Sequence, residues 1–175
     1  ALCNRIDRNT GGIVIAAKNA AALRDMNYRI KSGQVSKFYL CAVHGTMPKK
    51  ADVLKGYLKK NEKTNTVDVS DTPKPGYREI ITGYRVQSSK NGASLLEVEL
   101  FTGRTHQIRV QFSSRKTPLV GDGKYGGHLC ACTLHESELL GIDEVFKANK
   151  AYCQCSDNVF FCNKTGNSCS SQLPS

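Results

Sequence analysis

The chain contains no run of apolar residues approaching the ~18 that a membrane-spanning helix needs, which excludes a helical membrane anchor within it. Acidic residues are scarce: 15 Asp and Glu stand against 25 Lys and Arg, for a formal charge of +10. That imbalance disfavours a basic partner and points to a polyanion, nucleic acid first. Nucleotide-binding loops are missing as well. Gly121-Asp122-Gly123 lacks a third glycine and no Walker lysine pattern is present, so these glycines read as a loop. No internal repeat occurs. Arg5, Asp7 and Arg8 interrupt any hydrophobic core that a secretory signal at this end would have. Cysteine is nearly absent before residue 128, where only Cys3 and Cys41 occur, and this suggests a reducing, cytoplasmic setting.

What is present divides unevenly. Residues 1–127 carry 22 Lys and Arg against 10 Asp and Glu; residues 128–175 carry 3 against 5 and hold Cys130, Cys132, Cys153, Cys155, Cys162 and Cys169. The expected organisation is a basic body over 1–127, long enough to bury a core, and a divergent Cys-rich segment over 128–175.

Within the body, Ile13 to Lys18 predicts a buried strand. Asn19 predicts the cap of a helix running to about Lys31, with Leu23, Met26, Asn27 and Ile30 on one face and Ser32-Gly33 as the stop. Lys37 to Val43 is rich in strand formers. A lysine-rich connection from Met47 to Lys63 allows a short strand near Val53–Leu58, and Asn65 to Val69 a further one. Arg78 to Gln87 and Ser94 to Phe101 flank Asn91-Gly92, a strong hairpin signal. Thr105 is the expected N-cap of a short helix that turns Ile108 and Phe112 inward. Past the body, Glu136 to Asn149 reads as a helix. Strands with few helices argue for an α+β domain around a mixed, largely antiparallel sheet.

The chemistry centres on Asn4-Arg5-Ile6-Asp7-Arg8-Asn9-Thr10-Gly11-Gly12, a loop holding one carboxylate between two arginines. An ion-paired carboxylate suits a nucleophile or general base, and it equally suits a surface ion pair. Three further stretches follow in order: Lys37-x-Tyr39-Leu40-x-Ala42-Val43-His44-Gly45, then Thr102-Gly103-Arg104-Thr105-His106-Gln107-Ile108-Arg109, then Pro118-Leu119-x-Gly121-Asp122-x-x-Tyr125. Together, over residues 2–127, the four resemble the RluA-type family of RNA pseudouridine synthases, which includes the large-subunit ribosomal RNA enzymes.

The resemblance implies the pseudouridine synthase catalytic fold and isomerisation of uridine in RNA. Ribosomal RNA is the leading substrate and transfer RNA the alternative. Such an isomerisation needs no metal or organic cofactor. Asp7 matches the catalytic aspartate, which acts on the ribose or on the base. Arg109 matches the arginine that pairs with it, and Tyr39 the tyrosine that packs on the target base. Arg5 matches the arginine that enters the stack vacated by the flipped nucleotide. Arg104 and His106 are expected to bind RNA backbone or to order the loop. A monomer is expected, with no membrane partner. Lys49, Lys50, Lys55, Lys59, Lys60 and Lys63 form a basic stretch fit for phosphate contact or for a merely solvated face.

Two departures stand out. Asn4 occupies a position where the family usually has His, and Gly11 one where it often has Ser. The family also places a Lys-Pro-x-Gly strand, and often a small RNA-binding domain, before the Asp loop, and an apolar strand after Gly127, of which Leu129 to Leu134 would be the remnant. The chain therefore reads as a fragment or an N-terminally truncated protein whose sheet lacks its first strand. Two rival readings follow: an RNA-binding protein of the same fold without activity, and a metal-binding nucleic-acid module. The latter would use Cys130-x-Cys132 and Cys153-x-Cys155 with His128, His135, Cys162 and Cys169. Cys-x-Cys spacing matches structural zinc poorly, so no metal is expected. Disulfides and an incidental tail are the remaining readings of those cysteines.

Overall fold

One sheet carries every strand of the computed structural model, which describes residues 1–7, 10–62, 66–128, 150–155 and 158–160. In chain order the elements are β1 (Gly11–Gly12), α1 (Ala20–Lys31), β2 (Val35–His44), β3 (Ala51–Asn61), β4 (Thr66–Ser70), β5 (Arg78–Lys90), β6 (Ala93–Leu100), α2 (Gln107–Ser113), β7 (Lys150–Cys155) and β8 (Asn158–Phe160). A single 3₁₀ turn lies at Gly123–Tyr125. The sheet runs β1-β7-β2-β6-β5-β3-β4, with β8 paired to β7, and every pairing but β1 with β7 is antiparallel. The architecture is α+β, as the mixture of strands and few helices predicts. Neither described helix is long and apolar enough to cross a membrane.

The central hairpin is tighter than its flanking apolar runs suggest. Lys90 pairs directly with Ala93, leaving only Asn91 and Gly92 in the turn, with φ of 50° and 77°. Two consecutive positive φ values are what Asn-Gly tolerates and what matches the twist of paired strands. A register shift between Val86 and Ser88 accommodates one extra residue in β5. One face of β2, β5 and β6 presents Cys41, Val43, Tyr84, Leu96 and Val98 to Phe112 of α2, and these side chains form the core. Phe112 meets the Tyr84 ring edge-on at 6.0 Å between centroids.

Four expectations are corrected. Ile13 to Lys18 is not a strand. Its backbone instead meets the first residues of the chain, through a single bridge between Leu2 and Ala16 and bonds from Cys3 N–H to the Ile15 carbonyl and from Ala17 N–H to the Ala1 carbonyl, both 2.8 Å. Ile13 is buried, yet Val14 remains 39% exposed. The short strand at Val53–Leu58 is an eleven-residue one, because β3 is paired with β4 on one edge and β5 on the other, with Lys55 and Lys59 exposed on one face. The cap of α1 is Asn19, whose Oδ1 accepts from Ala22 N–H at 2.8 Å, but Asn27 is exposed while Leu23, Met26 and Ile30 are half-buried. The N-cap of α2 is His106, not Thr105. His106 takes a left-handed conformation (φ 55°, ψ 20°) and offers no side-chain cap. The helix start is secured instead by Gln107, whose Oε1 accepts from Arg104 N–H at 3.0 Å.

Residues 129–149 lie outside the described residues, and with them the expected strand at Leu129–Leu134 and helix at Glu136–Asn149. Residues 150–155, inside the Cys-rich segment, pair with β2 over Val35 to Tyr39. The same edge of β2 continues onto the 118–120 loop: Val43 bridges Leu119, His44 N–H donates to the Pro118 carbonyl and Val120 N–H to the Ala42 carbonyl, each at 2.9 Å.

Candidate active site

The loop bearing Asp7 is closed at its neck by one side chain. Asn4 donates through Nδ2 to the Ile13 carbonyl at 3.1 Å and accepts at Oδ1 from Ile15 N–H at 2.7 Å. An amide supplies both a donor and an acceptor, so Asn4 does between two extended segments what a backbone pair does in a ladder. Further in, Thr10 N–H bonds the Asp7 carbonyl at 3.0 Å. The Asp7 carboxylate is left 26% exposed and facing α2.

From α2, Arg109 answers it. The guanidinium gives Nε and Nη2 to the two oxygens of Asp122, each at 2.7 Å, and Nη1 to Asp7 at 3.5 Å. The Asp122 carboxylate is 7% exposed. Its fork on Arg109 is the bidentate geometry that makes a charge-assisted pair strong. It also holds the Arg109 cation above its ordinary range, with Asp122 the largest cause and burial opposing it. The Arg109 guanidinium lies 4.9 Å from the centre of the Tyr125 ring. Tyr125 Oη in turn sits 2.6 Å from His106 Nδ1. Burial pushes the His106 imidazole below its usual value, with Asp7 the chief opposing influence. Burial likewise raises the Tyr125 phenol, against the pull of Arg109. At neutral pH the Tyr125–His106 contact is therefore a bond between uncharged partners.

The loop that supplies Asp122 and Tyr125 is braced from within. Asp122 N–H donates to the Leu119 carbonyl (3.1 Å), and the Asp122 carbonyl accepts from Tyr125 N–H (3.0 Å) and Gly127 N–H (2.8 Å). Ser113 of α2 ties it down through a 2.6 Å bond to the Tyr125 carbonyl. Gly127 is obligatory there, since a Cβ would stand 1.8 Å from the Leu119 carbonyl oxygen and 2.9 Å from Asp122 N. Gly127→Ala is expected to cost about 2 kcal/mol of stability through this backbone collision. The midpoint of urea unfolding measures it, and an unchanged midpoint would show that the loop yields freely.

Asp7, Arg5, Tyr39, Arg104, His106 and Arg109, far apart in the chain, all line one cleft of about 600 Å³. Arg5 and Arg104 are exposed, and Tyr39 packs half-buried against the core. Lys37, Gly121, Asp122 and Lys124 lie on the same wall. Among the described residues, Asp7 and Asp122 are the only carboxylates on it. Cys41 also reaches the cleft, but burial raises its thiol to about 12, so it is not a thiolate nucleophile. Among the described residues no three His, Cys, Asp or Glu side chains gather as a metal site. Cys130, Cys132, Cys162, Cys169 and His135 lie outside the described residues, while Cys153 and Cys155 fall on β7.

Asp122 and Tyr125 had no role assigned from sequence. The stretch Pro118-Leu119-x-Gly121-Asp122-x-x-Tyr125 was the available signal, but nothing in it says that its carboxylate folds back onto Arg109. Gln107 is likewise new: it is buried, and all four of its amide hydrogen bonds are made within the protein.

Comparison with known proteins adds to this geometry. A family profile described as RNA pseudouridylate synthase matches residues 1–114. Over 145 residues the chain is 33% identical to ribosomal large subunit pseudouridine synthase C of Vibrio parahaemolyticus, a match covering 83% of the chain and 44% of that protein. It is 35% identical over 127 residues to the protein of the same name from Buchnera aphidicola, covering 71% of the chain and 39% of the relative. The chain thus spans about two fifths of the length of these relatives. Among solved structures, human RNA pseudouridylate synthase domain containing 1 superposes with a TM-score of 0.67 at 21% identity, over 93% of this chain and 67% of that one. Human RNA pseudouridylate synthase domain containing 4 gives 0.68 at 21% identity, over 87% and 65%. At such identity these two overlays bear on the fold alone.

Proposed function

The chain belongs to the RNA pseudouridylate synthase family, and from that premise we propose that it isomerises uridine in RNA, ribosomal RNA foremost, with Asp7 as the catalytic carboxylate. The names of the relatives, which specify the ribosomal large subunit, support ribosomal over transfer RNA. The basic body supports a polyanionic substrate.

One observation carries the reading. Among the described residues, of the two carboxylates on the cleft wall Asp122 has both oxygens bound by Arg109, whereas Asp7 receives a single contact at 3.5 Å. Asp7 is the carboxylate free to act, and Arg109 orients it. A glycoside hydrolase would need a second active carboxyl group to deliver water or protonate the leaving group, and Asp122 is already engaged. Isomerisation needs neither. The C1′–N1 bond breaks, the uracil turns and C1′–C5 forms; the C5 proton leaves to solvent and N1 takes one up. The atoms of uridine are conserved and no electrons enter or leave, so the chemistry calls for no redox partner.

The remaining residues take supporting roles. Tyr39, on the cleft wall, packs on the uracil. Arg5, exposed beside Asp7, fills the gap left by the flipped nucleotide, and its planar cation offsets part of an unstacking cost of a few kcal/mol. Arg104 meets the backbone. His106, held neutral against Tyr125, orders the head of α2.

The test is release of tritium to water from RNA labelled at uracil C5, using ribosomal RNA extracted from a strain lacking the protein. Release, and pseudouridine mapping to defined positions, is the expected result. If the folded chain binds that RNA yet releases no tritium, the proposal fails and RNA binding without catalysis takes its place.

A further inference from the structure

We propose that Asp122 is the positioning residue of this site: by occupying both Nε and Nη2 of Arg109, it leaves only Nη1 for Asp7 and so keeps Asp7 aligned without tying it up. The inference deepens the function proposed above and rests on it.

Arg109 has two carboxylates within reach and divides itself unequally between them. Two bonds of 2.7 Å go to Asp122 and one contact of 3.5 Å to Asp7. A guanidinium is planar, so fixing Nε and Nη2 fixes where Nη1 points. The Tyr125 ring, 4.9 Å from the guanidinium, restricts its tilt. Asp122 can hold this position because its own backbone is braced by Leu119, Tyr125 and Gly127. Its near-complete burial leaves little water to compete for its oxygens. Remove the fork, and the nearest anion left to Arg109 is Asp7. A bidentate pair would then form on the one carboxylate that must stay available, and tie it up.

The experiment compares Asp122→Asn, Asp122→Glu and Arg109→Lys with wild type. Asp122→Asn keeps the shape of the side chain but gives up its charge and one acceptor. Its kcat is expected to fall about 100-fold, the scale of a misplaced reacting group, with KM changed by less than about threefold. Asp122→Glu retains two oxygens for the fork and is expected to recover about tenfold of that loss. Lysine cannot fork, so in an Arg109→Lys background Asp122→Asn is expected to add less than about threefold.

A wild-type kcat in Asp122→Asn, or full additivity with Arg109→Lys, would overturn the proposal. If Asp122→Asn does not fold, Asp122→Ser, which also removes the fork, takes its place: wild-type activity there overturns the proposal. The Arg109 Nε–H resonance gives a reading independent of chemistry. It is expected to be protected from solvent exchange in wild type and to lose that protection in Asp122→Asn. Should wild type form no pseudouridine, the proposed function fails while this resonance still decides the role of Asp122; retained protection sinks it.

Discussion

Asp7→Asn is expected to abolish pseudouridine formation, by at least about 10⁴-fold, the scale of losing an essential nucleophile. Fold and RNA affinity should survive. The Asp7 side chain is a quarter exposed and, among the described residues, its sole ion-pair contact is 3.5 Å long, so little stability rests on it. Arg109 keeps its fork on Asp122 when Asp7 is neutral, which preserves the wall of the cleft. Removing an anion from a chain of net charge +10 can only favour a polyanion, so the dissociation constant for RNA should stay level or fall slightly. The measurement is tritium release alongside filter binding on the same preparation. Activity within about tenfold of wild type would remove Asp7 from the chemistry. Lost binding with lost activity would instead make it a structural residue of the Asp loop.

How much of this was legible from residues alone differs from element to element. Asn91-Gly92 announced its hairpin because the turn chemistry is local: two residues, both tolerant of positive φ, decide the geometry. Asn19 announced α1 for the same reason. Ile13 to Ala17 misled, because five apolar residues in a row describe transfer free energy and not a hydrogen-bond partner. The actual partners are residues 1–4, one of them the Asn4 side chain, which replaces a strand ladder without forming one. At the site, the six residues of the cleft could be named in advance only as a set carried by the resemblance. No spacing in the sequence brings Asp7 within reach of Arg109, 102 residues away. Asp122 and Gln107 escaped notice for a shared reason. A polar residue reads as outward-facing unless its partners are known, and theirs arrive from other elements: Arg109 of α2 for Asp122, Ile81 and Thr82 of β5 for Gln107.

Gln107→Leu is expected to cost about 4 kcal/mol of stability, because the amide is a fourfold junction. Its Nε2 donates to the Ile81 carbonyl (3.1 Å) and Thr82 Oγ1 (2.9 Å), and its Oε1 accepts from Thr102 Oγ1 (2.9 Å) and Arg104 N–H (3.0 Å). Thr82 passes the network on to Gln111 Oε1 at 2.5 Å, and Gln111 reaches the Leu54 carbonyl at 2.9 Å. Two helical glutamines thereby stitch α2 to β3, β5 and the 102–104 turn through a buried polar seam. Leucine fills a similar volume but strands the Arg104 N–H and part of two hydroxyls where Gln107 is only 2% exposed, while the Ile81 carbonyl keeps the Phe101 N–H at 3.2 Å. For a chain of this size the loss lowers Tm by about 10 °C. Thr82→Val added to Gln107→Leu should cost less than the sum of the two single changes, since it removes a group the first change orphaned. Arg109 lies two residues into α2 from Gln107, so the helix start that Gln107 secures also sets the height at which the guanidinium meets Asp122 and Asp7. Activity at a temperature where the variant is fully folded should therefore fall as well, through kcat. A Gln107→Leu protein within about 1 kcal/mol of wild type would mean that water or a shifted turn satisfies these groups. The seam would then be incidental to the placement of Arg109.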